Sequence, residues 1–155
     1  MANAASQKRK EEAERRKAAL VRRYQGMLTL NDLGCANLLF TFRMRILNVR
    51  SMRTPLSDDD RATLRQLIAD LATMTAQMKH LAKLFESEEA ILACAAACEK
   101  ALLETVRRWQ AKSRPDAADL DALDEGAALF TDILRQTKMS EFEAVSALVL
   151  KELSR

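Results

Sequence analysis

From Leu64 onward, apolar residues recur at alternating spacings of three and four, through Leu67, Leu71, Met74, Met78, Leu81 and Phe85. That rhythm keeps one stripe on one side of an α-helix and is the most regular heptad seam in the chain. Ser57 followed by Asp58, Asp59 and Asp60 predicts where the helix begins. A hydroxyl there caps the first turn, and acids inside that turn are favoured by the helix dipole. Just upstream, Thr54 precedes Pro55 and is biased away from helical geometry, so residues 53–60 form a boundary. Ser87 predicts the cap of a further helix running to about Lys112, with Ile91, Ala95, Cys98, Leu102 and Trp109 on one face. So short a link between two long helices dictates an antiparallel hairpin.

Arg114-Pro115-Asp116 ends the hairpin, and Asp116 starts a helix with the seam Leu120, Leu123, Ala127, Phe130, Leu134 and Thr137. Ser140 with Glu143 has the spacing of a capping box, predicting a last helix that carries Phe142, Val145, Val149 and Leu153 inward.

Upstream of the boundary the pattern is ambiguous. Phe40, Phe42, Met44 and Ile46 alternate strictly with Thr41, Arg43 and Arg45, which is a β pattern. No second strand candidate exists to satisfy its backbone, however, and the same stretch fits a helix through Leu38/Leu39, Phe42, Ile46 and Val49. A helix from about Asn31 to Met52 is the expectation. Before it, residues 7 to about 24 read as a charged helix, with Glu11/Arg15 and Glu12/Arg16 at the favourable i,i+4 spacing and Gly26 loosening the chain afterwards. On a helical wheel Lys8, Arg9, Arg15, Arg16, Arg22 and Arg23 share a face, backed by a thin apolar edge of Ala13, Leu20 and Tyr24.

Composition agrees with an all-α class. Three glycines and two prolines in 155 residues are too few turn formers for a β-rich domain. Expected, then, is an antiparallel helical bundle over residues 26–155 with a basic N-terminal helical arm over residues 1–25. No apolar run approaches the ~20 residues needed to cross a bilayer. The opening MANAASQKRKEEAERRK lacks the apolar core of a secretory signal, and its acids argue against a mitochondrial presequence. An odd number of cysteines, three, two of them in an alanine-rich helix, suits a reducing compartment, so the cytoplasm is the expectation.

Charge changes the picture most. Residues 1–56 hold 12 Lys/Arg and 4 Asp/Glu, whereas residues 57–155 hold 13 and 18, so the overall +3 conceals a basic end and a mildly acidic body. A basic stripe of six cations over ~22 Å suits an anionic partner, nucleic acid (DNA or RNA) first and an acidic protein surface second. Arg43, Arg45, Arg50 and Arg53 extend that surface if their helix lies alongside. The apolar edge is too thin for a membrane anchor.

Catalytic chemistry is poorly provided. Cys94 and Cys98 offer two thiols at i,i+4, where a closed zinc site needs four ligands, and the chain has one histidine. LACAAAC reads instead as small side chains that let helices approach closely. The acids of DAADLDALDE lack the spacing of a calcium loop, and Asp116 and Asp119 read as helix-start residues. At Trp109, with Arg107 and Arg108 beside it, the reading is an indole closing the core while the arginines complement the helix C-terminus. His80-Leu81-Ala82-Lys83 resembles the His-x-x-Lys of histidine phosphotransfer domains, which are four-helix bundles. The resemblance covers four residues and implies a phospho-accepting His80; that family places a glycine after the lysine, where Leu84 stands here. From its place in the seam, His80 is expected at the solvent or a bundle edge, without a role. The sequence thus predicts a protein without enzymatic activity, cofactor or metal, acting as a small subunit of a larger assembly. Its arm meets nucleic acid, with an adaptor for an acidic protein partner, and then a phosphotransfer module, as the alternatives.

Overall fold

The computed structural model describes the backbone of residues 2–25 and 32–155, with side chains for residues 3–18 and from residue 32 onward. Helix accounts for 86% of the described residues, and no strand occurs among them. The helices are α1 (Ala2–Gln25), α2 (Asp32–Arg50), α3 (Asp58–Leu81), α4 (Glu88–Gln110), α5 (Ala117–Gln136) and α6 (Met139–Leu153), with a single 3₁₀ turn at Ala82–Leu84 between α3 and α4. The reading of Gly26 as a loosened joint lies outside the described residues.

The bundle is built on α3. Ser57 caps it as expected, its side chain accepting from the Asp60 N–H at 3.1 Å. Every seam position from Leu64 to Leu81 is buried, and Phe85 packs half-buried against the core. α3 and α4 form the antiparallel hairpin: the Trp109 Nε1–H near the end of α4 donates to the Arg61 carbonyl near the start of α3 at 2.9 Å. α5 packs on α4 and α3, α2 lies along α5, and α6 packs on α3. All six predicted seam positions of α5 are buried, as are Ile91, Ala95, Cys98 and Leu102 of α4. Four buried threonines join this core, and each satisfies its hydroxyl on a carbonyl of its own helix, Thr75 on Leu71 and Thr105 on Ala101 among them. A threonine hydroxyl bonded in this way adds a methyl to the core without an orphan polar group.

Helix ends depart from expectation in three places. Ser87 stands at the N-cap of α4 but its side chain makes no capping hydrogen bond, because ψ of 25° turns it away from the extended geometry a cap requires. Asp116 likewise spends its carboxylate on Arg108, at 2.9 Å, rather than on the first turn of α5. The Ser140–Glu143 box is displaced: α6 starts two residues earlier behind Lys138, whose N–H donates to Glu141 Oε2 at 3.3 Å. Leu153, expected inward, is 54% exposed: it is the last residue of α6, one turn beyond buried Val149 on the same face. The C-terminus of α4 closes with Ser113 N–H on the Arg108 carbonyl and Lys112 N–H on that of Trp109, with Lys112 at φ 54° where glycine is usual.

α4 and α5 approach closely at Gly126. A Cβ built on Gly126 would lie 2.2 Å from Cys98 Sγ, and Cys98 is wholly buried. The small residues of LACAAAC do therefore let two helices approach closely. Replacing Gly126 by Ala is expected to cost about 1–3 kcal/mol through overpacking, more than offsetting the helix propensity it gains. Adding Cys98→Ala to Gly126→Ala should restore most of the loss, and a thermal melt of both variants checks the coupling. Independent, additive effects would show that the contact is not what limits this packing.

Candidate nucleic-acid interface

α1 forms because its residues are strong helix formers with no β-branched residue before Val21. Residues 3–18 are exposed around the whole circumference, so no face of that stretch is buried in the bundle. Lys8, Arg9, Arg15 and Arg16 project from it, spanning ~12 Å along the axis. Among the described residues none of these four takes part in an ion pair, and the i,i+4 pairs of Glu11 with Arg15 and Glu12 with Arg16 are not closed. Arg22 and Arg23 continue the helical backbone, but their side chains lie outside the described residues, as do those of Leu20 and Tyr24.

Of the remaining four predicted cations, three are paired with carboxylates of the bundle. Arg43 Nε lies 3.2 Å from Asp124 of α5, and Arg50 pairs with Asp121 of the same helix. Arg45 reaches the other way, its Nη1 2.6 Å from Asp70 of α3, whose second oxygen accepts from Gln66 at 3.1 Å. Arg53 is exposed in the loop between α2 and α3. Three of the four are thus held by the body's own carboxylates. The acid-rich segment DAADLDALDE, of which only Asp116 and Asp119 read from sequence as helix-start residues, supplies two of those partners, Asp121 and Asp124, and in Asp116 an acid for Arg108. The signal was present as the opposite charges of the two helices, but their pairing depends on α2 lying along α5, which no local pattern gives.

His80 stands at an edge of the bundle, one of the two places its position in the seam allows, and it is not free there. It is half-buried between α3 and α6, with Nε2 3.1 Å from both carboxylate oxygens of Glu152. A phospho-accepting nitrogen must lie open to an incoming phosphoryl group, and a carboxylate at that position repels one. Burial pushes the Cys98 thiol up to about 12, and the Cys94 thiol is raised for the same reason, which disfavours the thiolate of each. Among the described residues no three His, Cys, Asp or Glu side chains are grouped to hold a metal ion. The open cleft where α2, α3, α5 and α6 meet, about 310 Å³, is lined chiefly by Leu38, Phe42, Met74, Phe130 and Phe142 with the Arg45–Asp70 pair at its edge.

Trp109 closes the lower end of the α3/α4 hairpin, as read from sequence. Its cation partner, however, is Arg61, whose guanidinium stands 4.5 Å from the ring centroid. Arg108 instead pairs with Asp116, and Arg107 with Glu104 at 3.2 Å. Among the described residues no helix is long and apolar enough to cross a membrane. No family model, curated protein or solved structure matches the chain.

Proposed function

We propose that this chain is a non-enzymatic helical subunit of a larger, cytoplasmic assembly, and that its basic N-terminal arm, residues 1–25, contacts DNA or RNA. The observation that carries the reading is a difference in how charge is compensated. Arg43, Arg45 and Arg50 of the body each meet a carboxylate, whereas Lys8, Arg9, Arg15 and Arg16 stand exposed on α1. Cations with no internal partner are the ones available to displace the counterions of a polyphosphate backbone, and that release drives sequence-independent binding. Buried, unpaired Cys35 and Cys98 are consistent with a reducing compartment.

Direct binding of mixed-sequence DNA and RNA, to the full chain and to a chain lacking residues 1–25, tests this. Binding by the full chain is expected, with loss of nearly all affinity on removal of the arm. Salt dependence by itself would not distinguish nucleic acid from an acidic protein, because both contacts are electrostatic. Failure of both nucleic acids to bind the full chain would transfer the arm to the acidic-protein reading.

A further inference from the structure

α2 is apolar on two opposite sides. Cys35, Phe42, Ile46 and Val49 are buried in the bundle, while Leu33, Phe40, Met44 and Leu47 are 71%, 65%, 47% and 58% exposed. At 3.6 residues per turn the first set lies within about 60° and the second within about the same arc, roughly 180° away. This is the physical meaning of the alternation at residues 40–46: Phe42 and Ile46 point in, and Phe40 and Met44 point out. An apolar stripe ~21 Å long on the outside of a charged bundle marks a contact surface.

We propose that this stripe binds the same stripe of a second copy of the chain, antiparallel, about a two-fold axis through Phe40. Its register is self-complementary. Leu33 and Leu47 stand seven residues either side of Phe40, so reversing one helix sets each Leu33 against the other copy's Leu47 and Phe40 against itself. Met44, four residues after Phe40, then faces Ala36, four residues before it, a large side chain against a small one. Residue i meeting j while j meets i is what a two-fold interface requires.

Charge agrees. Asp32 and Arg50 share one flank at opposite ends of the stripe, each with a partner in its own copy, Arg135 at 3.6 Å and Asp121, so antiparallel pairing sets compensated ends side by side and opposes no like charges. Arg43, the cation nearest the axis on that flank, already carries Asp124 as its counter-charge. All four large side chains of the stripe are open to solvent in the single chain. Four large side chains per copy make an interface smaller than the standard size, so the dimer is weak, with a dissociation constant on the order of micromolar. The inference is independent of any role for the arm, although dimerisation would place two arms on one particle.

Sedimentation equilibrium of the full chain from roughly 5 to 200 µM, a range that brackets such an affinity, tests it. The wild type is expected to dimerise with concentration. Phe40→Glu, which sets two carboxylates face to face at the axis, should weaken dimerisation at least about tenfold with unchanged helicity. Oxidative cross-linking fixes the orientation: Phe40→Cys is expected to cross-link to itself, and Leu33→Cys only to Leu47→Cys, with wild-type protein giving the background of its own thiols. A wild type that stays monomeric throughout, a dimer undiminished by Phe40→Glu, or a self-cross-linking Leu33→Cys would each overturn the proposal. The last two outcomes would point to another face or to a parallel pairing.

Discussion

Reversing Arg15, Arg16, Arg22 and Arg23 to Glu is expected to abolish nucleic-acid binding while leaving the melting temperature of the bundle unchanged. Four reversals turn the proposed contact face from cationic to anionic, leaving Lys8 and Arg9 against an added row of carboxylates. Six phosphate contacts give a log–log salt slope of about −5 on duplex DNA, and removing four of them while adding repulsion leaves no favourable electrostatic term. The bundle should not respond: Arg15 and Arg16 are exposed and, among the described residues, form no ion pair with it. Glu is as good a helix former as Arg, so α1 itself should persist, which circular dichroism would verify. Retained affinity would remove the arm from the binding surface. A lowered melting temperature would show instead that α1 is braced against the body.

The two halves of the chain were legible to different degrees. α3, α4 and α5 follow directly from periodicity, because each has one buried face and an opposite polar one. Leu64 to Leu81 and Leu120 to Thr137 are buried at every position the spacing selects. α2 was harder for a physical reason: with apolar residues on both faces, its pattern is no longer that of an amphipathic helix, and a strand reading competes. The helix wins because the buried set, Phe42, Ile46 and Val49, still keeps helical spacing. The ends of helices were less legible than their faces. Asp116 has the right chemistry for a cap, but Arg108 is near enough to claim it, and only the tertiary arrangement decides between a backbone N–H and a guanidinium. The same holds for His80, whose environment is set by Glu152, 72 residues away. The stripe of cations on α1 could be read from sequence, but not that Arg43, Arg45 and Arg50 would be neutralised, since their partners lie on α5 and α3.

Leu71→Ala should produce the largest loss of stability of any single truncation along the α3 seam. Leu71 is 1% exposed and sits near the middle of the one helix that touches α2, α4, α5 and α6. Truncation there removes three buried carbons and leaves a cavity that four neighbouring helices cannot all collapse to fill. The expected cost is about 2–5 kcal/mol, the sum of lost transfer free energy and lost contacts around the void. For a chain of this length that corresponds to a fall in melting temperature of roughly 5–15 °C. Leu103→Ala is the matched control: the same chemical change on α4 at a side chain 72% exposed should stay within about 0.5 kcal/mol. Thermal melts of the two variants followed by circular dichroism measure the difference. Equal melting temperatures would mean that the α3 seam is not the core of the folded protein, and the bundle would have to be rebuilt around another helix.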